Sequence, residues 1–199
     1  GQDAANDEYP QITALGNNNE FVVTWSGVDS DGDFSIFVQK FDGSGNTSGD
    51  PVKLEAIGRT DGADKAPQVV AVRGDGSFAV TWYGQDSEDD NSIFVQRFRA
   101  DGSIDGMPQQ LEALGRQDGR DTDPQMIAIG DEGLLVVAWI GNEALIDGRS
   151  DDSIFVQQVG ESGTSLIATD DIGPVTGELA SGDVTDDTSL VLSGTTEAG

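Results

Sequence analysis

The sequence predicts an all-β fold of three tandem four-stranded antiparallel units, each of about 57 residues and each similar to a propeller blade. Two observations support this prediction. The three tryptophans, Trp25, Trp82 and Trp139, follow one another at intervals of 57 residues. Apolar runs with period-two alternation lie between Gly- and Asp-rich turns, and no stretch has a helical periodicity.

Other residues repeat with the same period. Pro10, Pro67 and Pro124 are each followed by Gln and are also 57 residues apart. The run Ser-Ile-Phe-Val-Gln occurs three times, at intervals of 57 and 61 residues, so the third copy has four extra residues within 142–149. These spacings predict a three-repeat module over 1–173, with copies at about 10–66, 67–123 and 124–173.

Each copy is expected to contain four short strands, which in the second copy are predicted at 68–72, 78–83, 92–98 and 109–113. The second of these strands places Phe78, Val80 and Trp82 on one face, as alternation requires. Closed propellers have 4–8 blades. Three units therefore leave several arrangements open: a closed or nearly closed three-sided prism, an open arc, or half of a six-bladed dimer.

The C-terminal segment, residues 174–199, departs from the repeat. It has Thr, Ser and Gly where the copies have Gln and aromatic residues. We expect it to form one or two strands of a different module. Residues 165–171 either belong with it or supply the last strand of the third copy. Because the chain has no initiator Met, we expect it to be a piece of a longer protein.

The composition restricts the chemistry of the chain. It has 37 acidic residues against 10 basic ones, a net charge of −27, and neither His nor Cys. Sites that need His or Cys ligands and Ser-His-Asp or Cys-His catalysis are therefore excluded. The charge opposes nucleic acid and anionic membranes, and no apolar run reaches the ~18 residues that cross a bilayer. Carboxylate chemistry remains, and its natural partner is a hard cation such as Ca²⁺.

Acidic residues recur in the loop between the second and third strands of every copy, with Asp six and two residues before the Ser-Ile-Phe-Val-Gln run. A tight turn with several carboxylates suits Ca²⁺, which takes six to eight oxygen ligands. Lys40 stands where an EF-hand needs Glu, so that motif is rejected. The alternative is that the acidic loops are ordinary solvent-exposed turns that bind no ion. The candidate ligands are Asp29, Asp31, Asp33, Asp86, Glu88, Asp90, Asp147 and Asp151 in the loops, and Asp61, Asp64, Asp118 and Asp121 between copies.

Three further sets of repeated residues have structural interpretations. The tryptophans are expected to pack in the core between units. Gln39, Gln96 and Gln157 recur inside a strand and are expected to satisfy buried backbone groups. Arg59 and Arg116 occupy equivalent positions and are expected to form ion pairs between copies.

The repeat resembles a known one. Its order is Pro-Gln, a Gly-bearing turn, Phe-x-Val-Thr-Trp, an acidic loop, Ser-Ile-Phe-Val-Gln with a basic residue and Phe, and Gly-Arg-x-Asp-Gly. Over about 1–165 this is similar to a repeat of very large secreted bacterial adhesins of the repeats-in-toxin (RTX), hemolysin-type calcium-binding class. Residues 174–199 resemble the opening strand of bacterial immunoglobulin-like domains, although Ser189 stands where those usually have Pro. The glycine-rich RTX nonapeptides are absent.

The resemblance implies an extracellular, calcium-dependent protein of the bacterial surface, exported by type I secretion. We expect a non-catalytic structural or interaction module that serves cell adhesion and biofilm formation. Its expected partners are neighbouring adhesin domains and a glycan or protein on a host surface, without nucleic acid or membrane insertion. The alternatives are a glycan- or peptide-binding module at the adhesin tip and, further off, a carboxylate-based glycoside hydrolase.

Overall fold

The computed structural model describes residues 6–16, 18–112, 120–130, 132–144, 150–160, 165–170, 177–179 and 191–195, with side chains described up to 141 and over 152–160 within those ranges. Over these residues the chain is all-β and has no helix, which confirms the predicted fold class. Its contacts divide it into two compact units, Gly1–Gln158 and Val159–Gly199. The first unit contains antiparallel sheets of four, four and three strands, stacked in an open arrangement.

The strands follow the repeat. The first sheet has the order β1-β2-β3-β4, with β1 (Asp7–Leu15), β2 (Glu20–Val28), β3 (Phe34–Phe41) and β4 (Val52–Leu54). The second has the order β5-β6-β7-β8, with β5 (Asp64–Ala71), β6 (Phe78–Gln85), β7 (Asn91–Phe98) and β8 (Ile104–Leu111). The third has the order β11-β10-β9, with β9 (Asp121–Ile129), β10 (Leu134–Ala144) and β11 (Ser150–Val159).

The third copy differs from the prediction in its strand number. Its sheet has three strands within the described residues, where four were expected. The strand that follows, β12 (Ser165–Asp170), pairs instead with β13 (Gly177–Leu179) and β14 (Val191–Thr195) in the second unit. Two short strands, β13 and β14, lie within 174–199, where one or two were predicted.

Each sheet of the first unit has two different faces. We call the face that carries the tryptophan the tryptophan face, and the opposite one, which carries the Ile of Ser-Ile-Phe-Val-Gln, the isoleucine face. Residues that pair directly across two antiparallel strands have their side chains on the same face of the sheet. Trp25 and Phe37 therefore lie on the tryptophan face, and Ser26 and Ile36 lie on the isoleucine face. In all three sheets the tryptophan stacks on the Phe of the next strand, with ring centroids 5.6–5.9 Å apart.

The sheets pack with the isoleucine face of one against the tryptophan face of the next. Ile36, Val38 and Leu54 of the first sheet join Val80 and Trp82 of the second in one buried cluster. The first strand of each following sheet makes the contact, since β5 lies against β1, β2 and β3, and β9 lies against β5, β6 and β7. Trp82 and Trp139 are buried, which confirms the predicted core role for these two. Trp25 is half-buried, on a face against which no described sheet of the first unit packs, so the prediction does not hold for it.

A bulge recurs in the first strand of every sheet. The residue before the repeated proline has positive φ in each copy, at 53° for Tyr9, 51° for Ala66 and 54° for Asp123. At each of these sites the pairing register shifts. A left-handed conformation is unusual for residues other than glycine, so three equivalent examples mark a fixed element of the repeat.

Candidate cation-binding site

The acidic loops after β2 and β6 are shaped by their first aspartate. The Oδ1 atom of Asp29 accepts the backbone N–H of Asp31 at 2.8 Å and that of Gly32 at 3.1 Å. The Oδ1 atom of the equivalent Asp86 accepts the N–H of Glu88 at 2.7 Å. These side chain-to-backbone bonds close each turn. They leave the second carboxylate oxygen of Asp29 and Asp86 available for residues of the sheet.

In the first copy that oxygen belongs to a group we call the first carboxylate cage: Asp29, Asp33 and Glu55, with Ser35 and Lys53. The Lys53 Nζ atom lies 2.6 Å from Asp29 Oδ2 and also pairs with Glu55. Hydrogen bonding to the Lys53 ammonium holds the pKa of Asp29 far below its usual range and raises the pKa of Lys53. The first carboxylate cage therefore already contains a positively charged group, the Lys53 ammonium.

In the second copy the second carboxylate cage consists of the equivalent Asp86, Asp90 and Glu112, with Ser92. Gln110 replaces the lysine. Its Nε2 atom donates to Asp86 Oδ2 at 2.8 Å, Ser92 Oγ at 3.0 Å and Glu112 Oε1 at 2.6 Å. The hydroxyl of Ser92 lies 3.1 Å from Asp86 Oδ2 and 2.5 Å from Glu112 Oε1. A neutral amide thus occupies the position of the Lys53 ammonium.

Two carboxyl groups of the second cage have raised pKa values. Burial, together with the neighbouring Asp86 carboxylate, raises the pKa of Asp90 to about 7. Burial also raises the pKa of Glu112. Burial opposes ionisation of Asp86, but hydrogen bonds led by the Glu88 N–H outweigh it and lower that pKa. Both oxygens of Asp90 and Oε2 of Glu112 are shielded from solvent without a hydrogen-bond partner.

These oxygens suit a hard cation chemically. Carboxylates and a Gln side-chain carbonyl are ligands that Ca²⁺ accepts, and the uncompensated charge of the second cage favours one. Within the described residues, however, no group of three or more acidic side chains has the arrangement of a ready metal site. The Gln110 amide now turns its N–H donors towards the carboxylates. To bind a cation here, the Gln110 side-chain amide must rotate by about half a turn, so that its oxygen Oε1 faces the ion in place of Nε2.

Of the other loop candidates, Asp33 belongs to the first cage, whereas Asp31 and Glu88 lie outside both cages. Asp31 and Glu88 are exposed and contribute their backbone N–H groups to the turns. Asp33 lies beside Asp29 in the first cage, and its pKa is raised by burial and by Asp29. Asp147 lies outside the described residues, and Asp151 lies in β11 with its side chain outside them.

The candidates between copies are separate from the loops. Asp61 is exposed and accepts from Arg59 Nε at 3.0 Å, and Arg59 also pairs with Asp89 of the second copy. This confirms the predicted ion pair between copies for Arg59. Asp64 is buried and accepts the indole N–H of Trp82 at 2.9 Å. Asp121 is buried at the equivalent position of the third copy, and Asp118 lies outside the described residues.

Sequence reasoning missed the residues that complete the cages. Glu55 and Glu112 come from the segment after the fourth strand, 20 residues beyond the serines that they contact. A signal was available, because Leu-Glu-Ala occurs at 54–56 and again at 111–113, with the lysine or glutamine two residues before the Glu. Only the pairing of β3 with β4 and of β7 with β8 brings these residues beside the loops.

Comparison of the chain with protein-family models, curated proteins and solved structures found no match. In the part of the chain that the structure describes, no helix is long and apolar enough to cross a membrane.

Proposed function

We propose that this chain is a non-catalytic, calcium-stabilised module of a large bacterial surface adhesin, acting as a structural or interaction domain in cell adhesion. In this proposal Ca²⁺ binds the second carboxylate cage through Asp86, Asp90 and Glu112. Extracellular modules bind Ca²⁺ with dissociation constants of about 10⁻⁴–10⁻³ M. The site would then be empty in the cytosol and filled outside the cell, where the ion would complete folding.

One observation carries the proposal. The two cages are built from equivalent residues. The ammonium of Lys53 pairs with the carboxylates of the first cage, whereas the neutral amide of Gln110 takes that position in the second. The fold therefore already places a cation among these carboxylates once. The second cage keeps the carboxylates without the charge that balances them.

The proposal is tested by thermal unfolding in 10 mM CaCl₂, in EDTA and in MgCl₂, all at one ionic strength. For the dissociation constants above, binding stabilises the folded chain by about 1.4–2.7 kcal/mol. This corresponds to a rise in melting temperature of roughly 3–10 °C for a chain of this size. Mg²⁺ is expected to have little effect, because it demands a smaller octahedral site.

Exchanging the equivalent residues Lys53 and Gln110 between the two cages tests which cage binds the ion. Gln110→Lys gives the second cage its own ammonium, so we expect higher stability in EDTA and a smaller calcium increment. Lys53→Gln is the matched reverse change, and it should lower stability in EDTA and enlarge the calcium increment. An equal calcium increment in the wild type and both variants would overturn the cage assignment. A melting temperature that is independent of Ca²⁺ in the wild type and in Lys53→Gln would overturn the calcium proposal.

A further inference from the structure

Within the described residues, the stack of three sheets ends in two apolar faces that no sheet of the first unit covers. One is the isoleucine face of the third sheet and the other is the tryptophan face of the first sheet. We call them the two end faces. Each belongs to a type of face that is buried elsewhere in the same unit.

Within the described residues, no sheet of the first unit packs against the isoleucine end face. Ile154 is 71% exposed, whereas the equivalent Ile36 and Ile93 are 0% exposed. Val156 is 66% exposed, and its equivalents Val38 and Val95 are 3% and 2% exposed. On the same face, Ile127 of β9 is 58% exposed. Contiguous apolar surface of this kind is typical of an interaction site.

The tryptophan end face shows the same contrast. Ile12 is 67% exposed, while Val69 and Met126, at the equivalent position of the other two sheets, are 8% and 7% exposed. Trp25 and Phe37 stack at 5.7 Å on this face and are half-buried, unlike the buried Trp82. Stacked aromatic rings supply much of the energy of sheet packing and of interfaces.

We propose that the isoleucine end face binds the tryptophan end face of a second copy of this chain, head to tail. The contact would repeat the packing that already joins the first sheet to the second and the second to the third. Its two sides are different surfaces, so the interface is heterologous and leads to a closed ring or an open row. The proposal does not depend on cation binding.

Electrostatics sets the conditions under which this association is expected. Each copy has a net charge of −27, so two copies repel each other over long distances. The Debye length falls from ~30 Å at 0.01 M salt to ~3 Å at 1 M. Association should therefore be weak at low ionic strength and strengthen with salt, as apolar contacts do.

The experiment uses the whole chain in analytical ultracentrifugation over a hundredfold concentration range, at 0.15 M and 1 M NaCl. Ile154→Asp inactivates one end face and Ile12→Asp inactivates the other. Both side chains are more than two thirds exposed, so the variants should fold, which circular dichroism checks. Met107→Asp is the matched control, because Met107 is 82% exposed on β8, outside both end faces.

We expect concentration-dependent association of the wild type and of Met107→Asp, and at least tenfold weaker self-association of each end-face variant. A mixture of Ile154→Asp and Ile12→Asp should form a dimer that grows no further, because each retains the face that the other lacks. Monomers at every concentration of the wild type would overturn the proposal. Association that needs only one of the two faces would also overturn it, since it would indicate a symmetric contact.

Discussion

The buried carboxyl group of Asp64 links two neighbouring sheets. It accepts the indole N–H of Trp82 at 2.9 Å and the backbone N–H of Ala56 at 3.1 Å. Ala56 lies in the connection between the first and second sheets, so this one side chain holds both the connection and the tryptophan. Burial raises the pKa of Asp64 to about 8, although both hydrogen bonds favour the charged form.

This raised pKa predicts a dependence of stability on pH. Between about pH 4 and 8 the folded chain keeps a proton on Asp64 that the unfolded chain has released, so stability falls as the pH rises. Asp64→Asn keeps an oxygen acceptor and cannot ionise. We expect a flatter pH profile and a melting temperature above that of the wild type at pH 8.5, measured in EDTA. Asp61→Asn, at an exposed position, is the control and should retain the wild-type slope. An unchanged dependence of melting temperature on pH in Asp64→Asn would contradict the assignment of this dependence to Asp64.

A glycine two residues after each tryptophan makes room for this carboxyl group. A Cβ atom at Gly84 would lie 1.9 Å from Asp64 Oδ1, and one at Gly27 or Gly141 would lie 2.6 Å from the equivalent aspartate. No side-chain atom fits at such distances. The Trp-x-Gly pattern repeats with the 57-residue period, but its reason is visible only when the strands are paired.

Gly84→Ala is therefore expected to destabilise the chain by at least roughly 2 kcal/mol, through displacement of Asp64 from its buried site. The measurement is the free energy of unfolding in urea at pH 7. Gly74→Ala provides the comparison, because a Cβ atom there would meet nothing within 4 Å. Equal small losses in both variants would show that the sheet adjusts freely around Asp64.

At the level of the strands, a repeated glutamine holds the connection between the third and fourth strands. Gln96 Nε2 donates to the carbonyl of Arg97 at 2.9 Å and to that of Asp105 at 3.2 Å. Gln39 makes the equivalent bonds to Lys40 at 2.8 Å and Gly49 at 3.2 Å. The prediction that these glutamines pair with backbone groups is confirmed for these two copies, and their side chains are buried, although Gly49 and Asp105, whose carbonyls they reach, are exposed residues. In the second sheet the bonds lie where the register between β7 and β8 shifts.

Gln96→Met keeps the length of this side chain and removes its donor. Because two hydrogen bonds to backbone carbonyls are then lost, we expect a loss of about 1–3 kcal/mol in the free energy of unfolding. Gln109→Met, on an exposed position of the neighbouring β8, should change it by less than about 0.5 kcal/mol. Hydrogen exchange should also show faster opening of β8 in Gln96→Met alone, and unchanged protection there would contradict the proposed clamp.

For the molecule as a whole, the net charge of −27 is an unfavourable term in folding. Raising NaCl from 0.01 M to 1 M should increase the melting temperature, because screening weakens the repulsion among carboxylates. KCl should act equally at the same ionic strength, since screening depends on charge and concentration. A large difference between the two salts would indicate specific ion binding, and it would have to be separated from the calcium effect.

Much of the strand layout was predictable, because it depends on local pattern. Period-two alternation located β6 and β7 within two residues, at Phe78–Gln85 and Asn91–Phe98. The prediction was poorer for β8, which begins at Ile104, five residues before the predicted start. Its first residues are exposed and lack the apolar alternation that identifies a buried strand. The cages were half predicted, since their aspartates lie in one loop and their glutamates come from the segment after the fourth strand.

The sequence by itself determined the repeat, the all-β class and the two faces of the strands with clear alternation, because spacing and alternation are properties of the chain. Only the tertiary structure decided which faces are buried. Ile36, Ile93 and Ile154 occur in the identical run Ser-Ile-Phe-Val-Gln, yet they are 0%, 0% and 71% exposed. The difference arises because burial depends on the sheet that lies against a face, and not on the strand that forms it.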